Sequence, residues 1–89
     1  MPEISLVINH EVGLHARPAS LFVQTAGKFS SDVQVIHGEK KANAKSILSV
    51  LALGAQQGAE LRIIAQGEDE QETLEALKQL IMSNFGESS

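Results

Sequence analysis

Ile4, Leu6 and Ile8 alternate with Glu3, Ser5 and Asn9, and Val7 is the one apolar residue on the polar side. That period of two predicts a strand with one face on a core. His10 to Leu14, with Gly13 inside, breaks the pattern and reads as a loop. From Pro18 onward Ala19, Phe22, Ala26 and Phe29 recur at spacings of three and four, which predicts a helix starting near Ala16 and ending around Gly27. Val33, Val35 and Ile36 predict a second strand, Gly38-Glu39 a hairpin turn, and Lys40 to Asn43 a brief edge strand whose lysines discourage further strand addition. Ser46 stands as the cap of a short apolar helix that ends at Gly54. Leu61, Ile63 and Ala65 alternate with Glu60, Arg62 and Gln66 as a fourth strand. Asp69 then opens a last helix with Leu74, Leu77, Ile81 and Phe85 on one face, stopped at Gly86.

The predicted order is βαββαβα, the pattern of an α+β two-layer sandwich with an antiparallel or mixed sheet and helices on one side. Periodicity leaves the strand order open. At 89 residues the chain has room for one core, so residues 1–89 read as a single domain. The absence of cysteine excludes a disulfide framework, a thiolate metal cluster and a cysteine nucleophile, and favours a reducing compartment. Met1-Pro2-Glu3 has no basic leader region, and the apolar stretch behind it is interrupted by Ser5, Asn9 and His10. The expectation is a soluble, cytoplasmic protein with neither signal peptide nor membrane span. With a formal charge of -4, seven scattered basic residues and three aromatics, all Phe, direct nucleic-acid binding is a poor fit. The acidic run Glu68, Asp69, Glu70, Glu72 and Glu75 reads as a solvated helix N-terminus.

Two segments carry candidate chemistry. Gly13-Leu14-His15-Ala16-Arg17-Pro18-Ala19 places an imidazole just ahead of a helix. The first helical turn holds N–H groups without internal acceptors and the positive end of the macrodipole, so it stabilises an attached anion. Pro18 surrenders an N–H the helix does not use. Arg17 contributes a planar fork of donors suited to phosphate oxygens. Guanidinium and helix terminus both oppose a second positive charge, which favours a neutral ring able to attack phosphorus. The blander alternative for a lone histidine here is a cap or a surface residue. His10 and His37 lack the spacing and acidic company of a metal site, so no metal and no cofactor is expected.

Lys45-Ser46-Ile47-Leu48-Ser49-Val50-Leu51 is the second segment. At about 100° per residue Val50 and Leu53 share one side, while Ile47, Leu48 and Leu51 cluster on a roughly opposite arc. Either that arc is an exposed docking patch or another element covers it. Ser46 is most simply an N-cap worth ~1 kcal/mol. A phosphate there would add close to two negative charges beside the patch and repel partners that dock on it.

Taken together, Gly13 to Ala19 and Lys45-Ser46-Ile47-Leu48 resemble HPr, the histidine-containing phosphocarrier family of the bacterial sugar phosphotransferase system, and the likeness covers nearly the whole chain. The resemblance implies an open-faced sandwich, a four-stranded antiparallel sheet with three helices on one face. It implies that His15 takes a phosphoryl group on Nδ1 from phosphoenolpyruvate-charged enzyme I, that Arg17 steadies it beside Ala16 and Pro18, and that enzyme IIA domains receive it. It further implies a regulatory serine at Ser46, next to Lys45, the target in many Gram-positive bacteria of HPr kinase/phosphorylase, with catabolite control protein A binding the modified form. Ile47, Leu48 and Leu51 fall where the family keeps its docking patch, and a monomer is expected. Ser49 stands where the family often has glycine.

Two other readings stay beside the carrier: a regulatory interaction module governed by Ser46, and a nitrogen-type phosphotransfer carrier. A stand-alone enzyme fits least, because the chain has no Walker-type loop, no HExxH and no paired carboxylates in an evident cleft. Catalytic groups would come from partners.

Overall fold

The computed structural model describes residues 3–8, 16–54, 56 and 58–83. Its elements are β1 (Glu3–Val7), α1 (Ala16–Gly27), β2 (Asp32–His37), β3 (Lys40–Asn43), α2 (Ile47–Ala52), β4 (Glu60–Gln66) and α3 (Glu70–Met82). The sheet runs β1-β4-β2-β3 with every neighbouring pair antiparallel. This is the open-faced α+β sandwich, and it fixes the strand order that periodicity left open. Alternation explains the core: Ile63 faces Ile4 on one side and Val35 on the other, and Val35 in turn faces Ala42. One row across four strands thus points to the helices, with Leu6–Leu61 and Val33–Ala65 beside it.

The helices supply the opposing surface. Ala19, Phe22 and Ala26 of α1 are fully buried, as are Leu77 and, to within a few per cent, Leu74 and Ile81 of α3. Val50 of α2 and Leu53, which caps its C-terminal end, go inward, as their shared side predicts. Helix α1 packs on α2 and α3, α3 lies on β4 and β1, and α2 lies on β3. Phe85 and Gly86, expected to continue and stop α3, lie outside the described residues. The two-residue Gly38-Glu39 turn joins His37 to its partner Lys40, and Gly38 takes the positive φ of 62° that such a turn requires. On the open sheet face Arg62 Nη2 meets Glu3 Oε2 at 2.8 Å, an exposed cross-strand pair worth about 1 kcal/mol or less.

The acidic run behaves differently from a plain helix N-terminus. Glu70 and Glu72 do occupy the first turn of α3, but the Asp69 side chain, at the N-cap position, caps no backbone amide of its own helix and meets there only the Thr73 hydroxyl, at a long 3.5 Å. Its carboxylate crosses to the turn between α1 and β2. There Oδ2 accepts the Ser30 amide at 2.9 Å, while Oδ1 accepts the Ser31 amide at 2.9 Å and the Ser31 hydroxyl. The Ser31 hydroxyl first, and then the amides, favour the ionised form and hold the Asp69 carboxyl at about 2, below the ordinary 3.8, against a smaller upward push from desolvation. Because the folded state binds this proton less readily than the unfolded chain, the contribution is complete above pH 3.8 and is lost as pH falls from 3.8 towards 2. Denaturant midpoints measured across that window are expected to drop for the native sequence. For Asp69→Asn the acid limb should be shallower, from a lower starting stability.

Candidate functional site

His15 lies outside the described residues, as does His10, and the structure begins again at the first residue of α1. Ala16 opens that helix, Arg17 follows on an exposed face, and Pro18 is fully buried in the first turn. Proline suits this place because its φ is already helical and its missing N–H is one the helix leaves unused. Burial of Pro18, Ala19 and Phe22 anchors the helix start in the core, so the backbone that Arg17 stands on is held by packing. No acidic residue sits in the first turn of α1. The positive end of this 12-residue helix is therefore uncompensated from within its own first turn, directly after His15 in the chain.

Helix α2 carries the second candidate segment. Ser46 is its N-cap, with extended backbone, and its hydroxyl accepts the Ser49 amide at a long 3.4 Å. The Ser46 amide donates to the Asn43 carbonyl and the Lys45 amide to Asn43 Oδ1, so a compact turn off the edge strand sets the start of the helix. Lys45 Nζ donates to the Phe29 carbonyl at 2.9 Å. Leu48 is 77% exposed and Ile47 39% exposed, whereas Leu51 is half-buried against the core. Of the three residues on that arc, Ile47 and Leu48 face outward and Leu51 is partly covered.

His37 has a structural role: its Nδ1 faces the Leu53 carbonyl at 3.2 Å, tying the end of β2 to the last turn of α2. Among the described residues no group of His, Cys, Asp and Glu is placed to hold a metal. A cleft of about 430 Å³ opens on the bare sheet face between Asp32, Gln34, Lys41, Asn43, Ile64 and Gln66, away from the helices. It presents carboxamides beside the Asp32 carboxylate and the Lys41 ammonium. No helix among the described residues is long and apolar enough to cross a membrane. The Asp69 clamp has no signature in the hydrophobic pattern, because its partners stand 38 and 39 residues away.

A family model described as PTS HPr component phosphorylation site matches residues 2–83. The phosphocarrier protein HPr of Mycoplasma capricolum is 43% identical over 82 residues, 92% of each chain. The HPr-like protein Crh of Bacillus subtilis is 49% identical over 77 residues, 86% of this chain and 91% of that one. Among solved structures, HPr-C-His from Thermoanaerobacter tengcongensis superposes with a TM-score of 0.96 at 50% identity over the full length of both chains.

Proposed function

We infer what this chain does from its membership: it belongs to the PTS HPr family, phosphocarriers of the phosphotransferase system that are not catalysts by themselves. The finer reading is that His15 accepts a phosphoryl group from phospho-enzyme I and passes it to enzyme IIA components for sugar uptake, in the cytoplasm, as a monomer with residues 1–89 acting as one unit. The observation that carries this is the start of α1. His15 directly precedes a helix whose first turn holds Arg17 on an exposed face, buried Pro18 and no acidic side chain.

Such an end stabilises a phosphoryl group through oriented N–H groups and a guanidinium fork, without enclosing it. An open cradle also suits a carrier, because stronger ground-state binding would hinder onward transfer. In-line displacement needs positioning and charge stabilisation, which a partner's active site can complete around the His15 ring. The test is incubation with enzyme I and phosphoenolpyruvate. A mass gain of one phosphoryl group, labile in acid and stable in alkali, is expected; no gain would overturn the reading.

Docking is assigned to Ile47 and Leu48, with Leu51 behind them. Leu48→Asp is expected to weaken enzyme IIA binding at least ~10-fold by calorimetry. Stability should change by no more than about 0.5 kcal/mol, since Leu48 is 77% exposed.

A second reading, in which Ser46 is a regulatory site, is favoured by its place as a loosely bonded cap beside the exposed Ile47 and Leu48. Phosphorylation there by an ATP-dependent HPr kinase/phosphorylase would govern binding to catabolite control protein A. The His15 chemistry of the first reading would equally serve a nitrogen-type phosphotransfer carrier. Acid-stable label from ATP that disappears in Ser46→Ala is expected, and absence of such label would remove the regulatory branch.

A further inference from the structure

The Lys45 ammonium and the Asp69 carboxylate hold the two ends of a single peptide unit. Lys45 Nζ donates to the Phe29 carbonyl at 2.9 Å, and the amide of the same peptide, that of Ser30, donates to Asp69 Oδ2 at 2.9 Å. A cation on the oxygen and an anion on the N–H polarise the peptide in the same sense, so each hydrogen bond strengthens the other. The chain continues at Ser31, whose amide and hydroxyl both reach Asp69 Oδ1, and at Thr73, whose hydroxyl donates to the Asp69 carbonyl at 2.7 Å. The turn between α1 and β2 is thus gripped from the α2 side by Lys45 and from the α3 side by Asp69.

Lys45 directly precedes the Ser46 cap and is exposed, with a flexible four-carbon stem. A phosphate on Ser46 would bring nearly two negative charges within that stem's reach, a far stronger attraction for an ammonium than a neutral carbonyl. We propose that Lys45 is a transferable cation: a phosphate at Ser46 draws it off the Phe29 carbonyl, weakening the Ser30–Asp69 bond and so reporting the charge state of position 46 to the corner where β4 meets α3. The relay rests on Ser46 as a modification site. It is separable from the question of whether a kinase acts there, because phosphoserine can be installed during translation.

The test compares nitrogen-15 amide spectra of four full-length proteins: native, phosphoserine at position 46, Lys45→Gln, and Lys45→Gln with phosphoserine at 46. Phosphoserine and Lys45→Gln are each expected to move the Ser30 amide proton upfield and to speed its hydrogen exchange several-fold. Phosphoserine should add nothing at Ser30 once Lys45 is replaced. An unmoved Ser30 amide in the phosphoserine protein overturns the relay, and so does an equal shift in the Lys45→Gln background, which would be a through-space field effect. Kinase labelling of Ser46 with an unmoved Ser30 removes the relay and leaves the regulatory reading in place.

Discussion

His15→Ala is expected to abolish phosphoryl uptake from enzyme I and phosphoenolpyruvate, although the chain retains two other histidines, His10 and His37. His37 is half-buried and engaged with the Leu53 carbonyl, at the sheet end of α2, and has no helix start ahead of it. His10 stands six residues before Ala16 in the sequence and is followed by Glu11 and Val12. Neither has the donors that follow position 15. Arg17→Ala tests the cradle itself: the exposed side chain can be removed without opening the core, while transfer is expected to slow on the order of 100-fold, as for loss of one preorganised donor to a developing anion. Arg17→Lys should recover part of that rate, because it restores charge without the planar fork. Rapid-quench transfer from phospho-enzyme I measures all three. Undiminished uptake by His15→Ala would move the chemistry elsewhere.

The largest stability effect is expected at Gly67, for reasons that have nothing to do with phosphate. Its φ is 155°, a region that side chains rarely enter, and a Cβ placed there would lie 2.5 Å from Ser31 Oγ and 2.8 Å from Ser31 Cα. Ser31 cannot swing aside: it is 1% exposed, and Asp69 holds its hydroxyl and amide. Gly67→Ala therefore combines backbone strain, a clash with a fixed neighbour and loosening of the clamp. The expected loss is about 3 kcal/mol or more, which lowers Tm by about 12 °C or more for a domain of this size. Adding Ser31→Gly should recover part of the loss by removing the hydroxyl, and leave the part due to φ and to the close approach of the residue 31 backbone. A calorimetric Tm within a few degrees of the native value would show that this corner is not packed as described.

Local signals are enough to place most elements, because each predicted boundary rests on a residue whose local conformational preference is strong. Pro18 just inside α1, Gly38 in the hairpin, Ser46 at the cap of α2 and the alternation of Leu61, Ile63 and Ala65 all act within a few residues of themselves. The pairing of β4 between β1 and β2 has no such signal, since alternation states which face is buried and not which neighbour is beside it. Asp69 shows the same limit from the other direction. Next to Glu70 and Glu72 it reads as one more charge for the α3 N-terminus, yet its carboxylate is committed to Ser30 and Ser31 in the turn between α1 and β2. Periodicity leaves open whether Leu51 is covered for a related reason, as its half-burial is decided by the core it packs against rather than by the spacing within its own helix. The motif around Arg17 and Pro18 is readable because helix-start chemistry is local, and His15, which directly precedes it in the chain, lies outside the described residues.

The decisive measurement is a nitrogen-15 and phosphorus-31 NMR spectrum of the intact chain, labelled at its three histidines and charged by enzyme I. One phosphorus signal coupled to Nδ1 of His15 is expected, with the imidazoles of His10 and His37 unaltered. Phosphorus on either of those rings, or on no imidazole at all, would contradict the assignment of the helix start as the phosphoryl site.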